Sequence, residues 1–216
     1  MSKQVSFFSR RLHSLLGVIP VGFFLVEHLL TNWYATRGAD VFVEKVNSLW
    51  EIPFLWVFEV FFIFLPLLYH GVYGLYIAFT AKNNVTNYGY FRNVMFMLQR
   101  VTGVITLVFV SWHVWETRIQ LLLQGFTASE LAGHTAELLS NDLTFILYII
   151  GLIAAVFHFS NGMWSFLVSW GITVGPRSQR VSTFVWIAVF FVVSYLGVSA
   201  LFAFVDPEFT KQLAQR

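Results

Sequence analysis

The sequence predicts an all-α protein, an integral membrane bundle of five transmembrane helices. Three observations predict it. Of 216 residues, 57% are hydrophobic and only 11% are charged, against roughly 25% charged in an ordinary soluble domain. Five runs are apolar over the roughly 20 residues that a helix needs to cross a hydrocarbon core about 30 Å thick. The 25 Phe and 8 Trp suit a lipid-facing surface with interfacial aromatics. Disorder, coiled coils and most soluble folds are excluded. Cys is absent, which removes disulfides, thiolate metal sites, Cys-bound iron–sulfur clusters and Cys-linked haem.

The spans are expected at about residues 12–33, 54–81, 94–117, 143–171 and 181–205. They use nearly the whole chain, so residues 1–216 read as a single membrane domain. The first run contains Glu27 and His28 and is not followed by a small-residue cleavage site, so it is a span rather than a signal peptide. The second and fourth runs are long, which allows tilt. Pro20 and Pro66 fall inside spans, where membrane helices tolerate proline. Lys82-Asn83-Asn84-Val85-Thr86-Asn87-Tyr88-Gly89 and Gly175-Pro176-Arg177-Ser178 are turn stretches between spans. Residues 118–142 leave room for a short helix that the pattern does not decide.

Charge gives the orientation. Eight of the thirteen Lys and Arg fall on one side: Lys3, Arg10 and Arg11, then Lys82, Arg92 and Arg100, then Arg177 and Arg180. Acids such as Asp40, Glu44, Glu116, Glu130 and Asp206 lie in the other connecting segments. The positive-inside rule puts the N-terminus in the cytoplasm and the C-terminus outside.

Four of the six histidines, His28, His70, His113 and His158, lie in four different spans. Ionisable groups at that depth are costly and are commonly functional. The opposite directions of successive spans sort them by depth. His28 and His113 sit roughly 6–8 Å from the outer ends of their spans, and His70 and His158 lie deeper toward the inner side. Two imidazoles at one level on facing helices are what a bis-histidine haem requires. The competing reading is a set of interhelical hydrogen bonds.

Glycines accompany the inner pair. Gly74 and Gly162 lie four residues after His70 and His158, on the same helix face. Gly17 and Gly103 lie 11 and 10 residues before His28 and His113, so they face the inner pair from the two helices that do not ligate it. All four would let a porphyrin edge approach the backbone, although small residues also mediate bare helix packing. The spacing from His28 to His70 is 42 residues and from His113 to His158 is 45, which suggests a parallel internal repeat.

Glu59 precedes His70 by 11 residues, which on an unbroken helix gives it the same face at the depth of the outer pair. A carboxyl there is suited to exchanging protons with a quinone; alternatively it snorkels to the interface. Glu27 points away from His28. Arg10, Arg11, His13, Arg100, Arg177 and Arg180 gather on the cytoplasmic side, as candidates for binding haem propionates or docking a partner. His134 belongs to an outer loop and is expected to be solvated.

Several stretches carry a family resemblance over essentially the full chain: Arg10-Arg11-Leu12-His13-Ser14-Leu15-Leu16-Gly17-Val18-Ile19-Pro20, Phe64-Leu65-Pro66-Leu67-Leu68-Tyr69-His70, Leu98-Gln99-Arg100-Val101-Thr102-Gly103, Ser111-Trp112-His113-Val114-Trp115-Glu116-Thr117-Arg118, Phe157-His158-Phe159-Ser160-Asn161-Gly162 and Pro176-Arg177-Ser178-Gln179-Arg180. In these the chain resembles the di-haem cytochrome b membrane anchors of bacterial succinate:menaquinone oxidoreductases, the five-helix single-anchor type. The resemblance implies two haems b, with axial ligands His28 and His113 for the outer and His70 and His158 for the inner. It implies a bacterial cytoplasmic membrane and menaquinone as substrate. A flavoprotein subunit with FAD and an iron–sulfur subunit with its clusters would dock on the cytoplasmic face; nucleic acid is not an expected partner. Succinate oxidation would belong to the flavoprotein, and electron transfer with quinone reduction to this chain. The alternatives are the anchor of a quinol:fumarate reductase, with electrons flowing the other way, and a proton channel or transporter that uses buried His and Glu.

Overall fold

A computed structural model describes residues 3–215, with side chains from residue 7 onward; Lys3, counted above for its charge, therefore has no described side chain. The described residues are mostly helical, and no strand forms among them. Five helical runs are long and apolar enough to span a bilayer: Phe7–Arg37, Leu55–Thr80, Phe91–Gln124, Asp142–Ser169 and Pro176–Phe204. Each contains most of the corresponding expected span. The differences are at the ends: the first and third runs continue at both ends into interfacial sequence that hydropathy does not reward, and the second, fourth and fifth stop one or two residues early.

Three of the runs are not uniform α-helix, and two of these irregularities fall at prolines. In the first, Lys3–Val18 gives way to Pro20–Trp33 across Ile19. Pro20 has no N–H to donate to the preceding turn, and its ring crowds the carbonyl four residues back. In the second, a π-helical turn over Glu59–Phe64 precedes Leu65–Thr80. Pro66 cannot bond the carbonyl of Phe62, and a widened turn accommodates that loss. In the third, Phe91–Val114 passes through a π turn at Trp115–Ile119 into Gln120–Gln124. No proline accounts for that one.

The chain forms two compact units, each described by itself. The first comprises Met1–Leu25, Trp56–Thr106 and Ala154–Phe191; the second comprises Val26–Leu55, Leu107–Ile153 and Val192–Arg216. In the first unit, Arg92 lies over the Trp164 ring and donates to the Thr183 hydroxyl. Trp164 Nε1 donates to the Gln179 carbonyl at 3.1 Å. These contacts tie together the ends of three spans.

In the second unit, three short helices, Ala39–Trp50, Ala128–Leu139 and Pro207–Ala214, pack on one another. They follow the first, third and fifth spans, so connectivity brings them to one end. Their apolar faces make the best-buried core of the chain: Ala39, Val43, Ala132, Leu139 and Phe209 are all nearly inaccessible. Phe204 and Phe209 meet edge to face at 5.1 Å, as do Phe42 and Phe204. Thr127 and Glu130 form a reciprocal capping box at the start of the second helix. The Thr127 amide, and then its hydroxyl, hold the Glu130 carboxyl below its usual range. Asp206 caps the third helix, with Pro207 at its first position. Gly38 offers the Ala39–Trp50 helix no capping side chain, and Gln212 supplies the oxygen instead, accepting from the Ala39 amide at 2.8 Å.

The segment 118–142, which the sequence pattern does not decide, therefore holds the helix Ala128–Leu139 after a break at Gly125. Phe209→Ala should remove the centre of the three-helix core, at a cost of about 3–5 kcal/mol. Hydrogen exchange should then show early loss of protection at the amides of residues 207–214, with the spans unaffected.

Candidate functional site

The first unit holds His70 and His158. Their ring centroids lie 6.0 Å apart with planes at 82°. His70 Nδ1 is 2.9 Å from the carbonyl oxygen of His13, and His158 Nδ1 is 3.0 Å from that of Gln99. A carbonyl only accepts, so each Nδ1 carries the proton and each Nε2 keeps its lone pair for a metal. Gln99 Nε2 also lies 3.2 Å from His158 Nδ1. An unprotonated Nδ1 would set its lone pair against the carbonyl oxygen, so the donor assignment stands. The same Gln99 Nε2 donates to the His158 carbonyl at 2.9 Å, and Gln99 Oε1 accepts from Asn161 Nδ2 at 2.7 Å.

The four glycines surround this pair. A Cβ on Gly17 would collide with the His70 ring, and one on Gly103 would lie 2.9 Å from His158 Cε1. Each glycine follows by four residues the carbonyl that accepts from the ring. Without a Cβ there, the imidazole reaches a helix carbonyl that a side chain would otherwise screen. A Cβ on Gly74 would approach His13 Nε2 at 3.3 Å, and one on Gly162 would approach Gln99 Nε2 at 3.1 Å. The His13 ring stacks on His70, with centroids 4.1 Å apart and planes 6° from parallel.

The second unit holds His28 and His113, with centroids 5.6 Å apart and planes at 72°. Phe109 stacks on His113 and Tyr148 meets it edge-on, at 5.8 Å in both cases. Asn32 Nδ2 donates to the His28 carbonyl at 2.8 Å. Glu27, beside His28, accepts from the Thr31 hydroxyl at 2.6 Å.

These residues fit a haem. An imidazole nitrogen sits about 2 Å from a metal ion, so two rings sharing one ion have centroids about 6 Å apart, close to both observed separations. Among the described residues no three His, Asp or Glu side chains converge on one point. Each site thus offers a pair, which suits a ligand that brings its own four nitrogens. His13 Nε2 is buried without a hydrogen-bond partner, and an anionic acceptor such as a propionate would satisfy it.

The arginines divide. Arg11 donates to the carbonyl of Ser169, the last residue of the fourth span, at 2.5 Å and lies over the Trp170 ring, so it closes a helix C-terminus. Arg10, Arg177 and Arg180 are exposed, and Arg100 is partly buried. Glu59 opens the π turn of the second span and is partly buried. Its expected face relation to His70 presupposed an unbroken 3.6-residue period, which the π turn interrupts. His134 is not simply solvated: its Nε2 lies 3.0 Å from the Glu116 carbonyl and 4.0 Å from the Glu116 carboxylate. The ordered helix Ala128–Leu139 positions it there.

Gln99, Asn161 and Tyr148 were not singled out from the sequence. A signal for Gln99 was present, because His13 precedes Gly17 by the same four residues that separate Gln99 from Gly103.

Two comparisons place the chain. Residues 86–197 match the family described as succinate dehydrogenase/fumarate reductase transmembrane subunit. The succinate dehydrogenase cytochrome b558 subunit of Bacillus subtilis (strain 168) is 55% identical over 205 residues, covering 95% of this chain and 100% of that protein. With its five membrane-length helices and its two pairs of intramembrane histidines, the chain belongs to the succinate dehydrogenase/fumarate reductase transmembrane subunit family.

Proposed function

We propose that this chain is the membrane-anchor cytochrome b of a succinate dehydrogenase, passing electrons from an iron–sulfur subunit through two haems b to menaquinone. The observation that carries the reading is the pairing of partly buried imidazoles within the spans of each unit, two of them with Nδ1 engaged by a backbone carbonyl. The relative's name supports the cytochrome and the direction, succinate oxidation rather than fumarate reduction. Residues 1–216 act as one membrane domain whose two units each hold one pair.

Bound haem supplies one-electron carriers that no side chain of this chain provides. The protein's own part is positional. His70 and His158 bind the inner haem, and His28 and His113 the outer. Gly17, Gly74, Gly103 and Gly162 keep side chains out of the inner site. His13 Nε2 takes a propionate, with Arg10 or Arg100 as further cationic partners. The exposed Arg177 and Arg180 face the cytoplasm, where the iron–sulfur and flavoprotein subunits dock. Glu59 exchanges protons with the quinone. Its place at a π turn supports that role, since such turns recur at functional sites.

A reduced-minus-oxidised visible spectrum of the purified membrane protein tests the reading, and two b-type haems per chain are expected. His70→Ala or His158→Ala should each lose one haem, and His28→Ala or His113→Ala the other. Two equivalents retained in every variant would end the ligand assignment. Glu59→Gln should leave both haem spectra and succinate-to-dye activity intact while slowing succinate-to-menaquinone transfer by on the order of 10²-fold. Normal quinone turnover would remove Glu59 from the site. Neutralising both Arg177 and Arg180 should weaken assembly with the partner subunits. Two exposed ion pairs at about 0.2–1 kcal/mol each correspond to about 2- to 30-fold, with the larger loss at low salt. Unchanged assembly would leave both residues as topology signals alone.

A further inference from the structure

The His70/His158 site is built twice from the same parts. In the first and second spans, the His13 carbonyl accepts from His70 Nδ1, Gly17 clears the ring, and the His13 side chain lies over Gly74. In the third and fourth spans, the Gln99 carbonyl accepts from His158 Nδ1, Gly103 clears the ring, and the Gln99 side chain lies over Gly162. The sequences behave as one motif read twice: Leu12-His13-Ser14-Leu15-Leu16-Gly17 against Leu98-Gln99-Arg100-Val101-Thr102-Gly103, and His70-Gly71-Val72-Tyr73-Gly74 against His158-Phe159-Ser160-Asn161-Gly162. The two halves differ in what stands four residues before the clearing glycine, a histidine in one and a glutamine in the other.

Resting on the haem reading above, we propose that Gln99 is a positioning residue for the axial ligand His158, with His13 its counterpart for His70. The backbone carbonyls fix the tautomer. The side chains fix where those carbonyls stand. Gln99 does so by donating to the His158 main chain at 2.9 Å while Asn161 holds its oxygen at 2.7 Å. This clamps the third span to the fourth at the level of the ring. His13 does so by stacking flat on His70. A carbonyl accepting from Nδ1–H makes the ring a more basic ligand, and a more basic ligand favours ferric iron. Loosening the clamp lengthens that bond, so the potential of the His70/His158 haem rises. It also frees the ring plane, to which the electron paramagnetic resonance of a low-spin ferric haem is sensitive.

The test uses the intact complex, with the His28/His113 haem as internal control. Gln99→Leu leaves the backbone carbonyl in place and should retain both haems. It should change the oxidised-to-reduced ratio of the His70/His158 haem by about tenfold at fixed potential, equal to about 59 mV upward for one electron, and shift its resonance signature. The control haem should not move. Gln99→His supplies the residue of the other half and should restore both values. If Gln99→Leu does not assemble, Asn161→Ala releases the other end of the clamp and should give a smaller shift of the same sign. Wild-type potential and resonance in Gln99→Leu, or in Asn161→Ala where that substitutes for it, would overturn the proposal. Failure of Gln99→His to improve on Gln99→Leu would do so too. A wild-type protein with no haem at all would instead overturn the reading on which it rests.

Discussion

An imidazole buried in lipid has two nitrogens to satisfy, and much of the first unit answers that requirement. Water is absent at that depth, so an unpaired N–H costs several kcal/mol. The helix has already used its carbonyls on its own amides. His70 and His158 each take a second bond to such a carbonyl, on His13 and Gln99 respectively. A carbonyl oxygen has two lone pairs, but one inside a helix is screened by the side chain four residues later. Gly17 and Gly103 remove that screen. The placement of one proton thereby explains two glycines, the close approach of first to second span and third to fourth, and a tautomer that turns Nε2 toward a ligand.

The second unit is stabilised differently. His113 packs among aromatic rings, against His28, Phe109 and Tyr148, with Tyr148 also meeting Phe109 and Trp112. Beyond them the three short helices bury small apolar residues against one another. That arrangement resembles a soluble core, with capped helix ends and interlocked phenylalanines, and the energetics of water-driven burial apply to it. Within the spans, outward-facing Phe and Val remain exposed in the isolated chain, as a lipid solvent permits. One chain thus satisfies two solvents, the spans answering to lipid and the three short helices to water.

The spans were legible in the sequence because lipid leaves a strong compositional mark: length, apolarity and segregated charge. The histidine pairs were legible because depth follows from connectivity once the spans are drawn. What escaped the reading has a common physical cause. The π turns at Glu59–Phe64 and Trp115–Ile119 change helical phase without changing hydropathy, so a face relation counted in steps of 3.6 residues lapses across them. The helix Ala128–Leu139 is built on alanines, whose burial depends on partners distant in sequence, although its Thr127/Glu130 capping box was readable. His134 was misjudged for the same reason, since the helix that carries it had not been drawn. Gln99 was overlooked because an amide carries no charge, and its partners lie 59 and 62 residues away.

The same proton placement has a consequence for redox chemistry. In the proposed function His70 and His158 have Nδ1–H committed to a carbonyl and would commit Nε2 to iron. Each then has no vacant nitrogen on which to take up a further proton. Electron transfer through such a ligand leaves the protonation of the protein unchanged, and in a low-dielectric interior that spares the cost of moving a proton with each electron. Quinone reduction nevertheless consumes protons. They must come from a group that is not an axial ligand, that can lose and regain a proton, and that reaches water. A carboxyl near a span end meets those conditions and a carbonyl-locked histidine does not. The locked His70 and His158 are thus poor proton exchangers, and the proposed function gives that part to Glu59, a carboxyl partly accessible at its π turn.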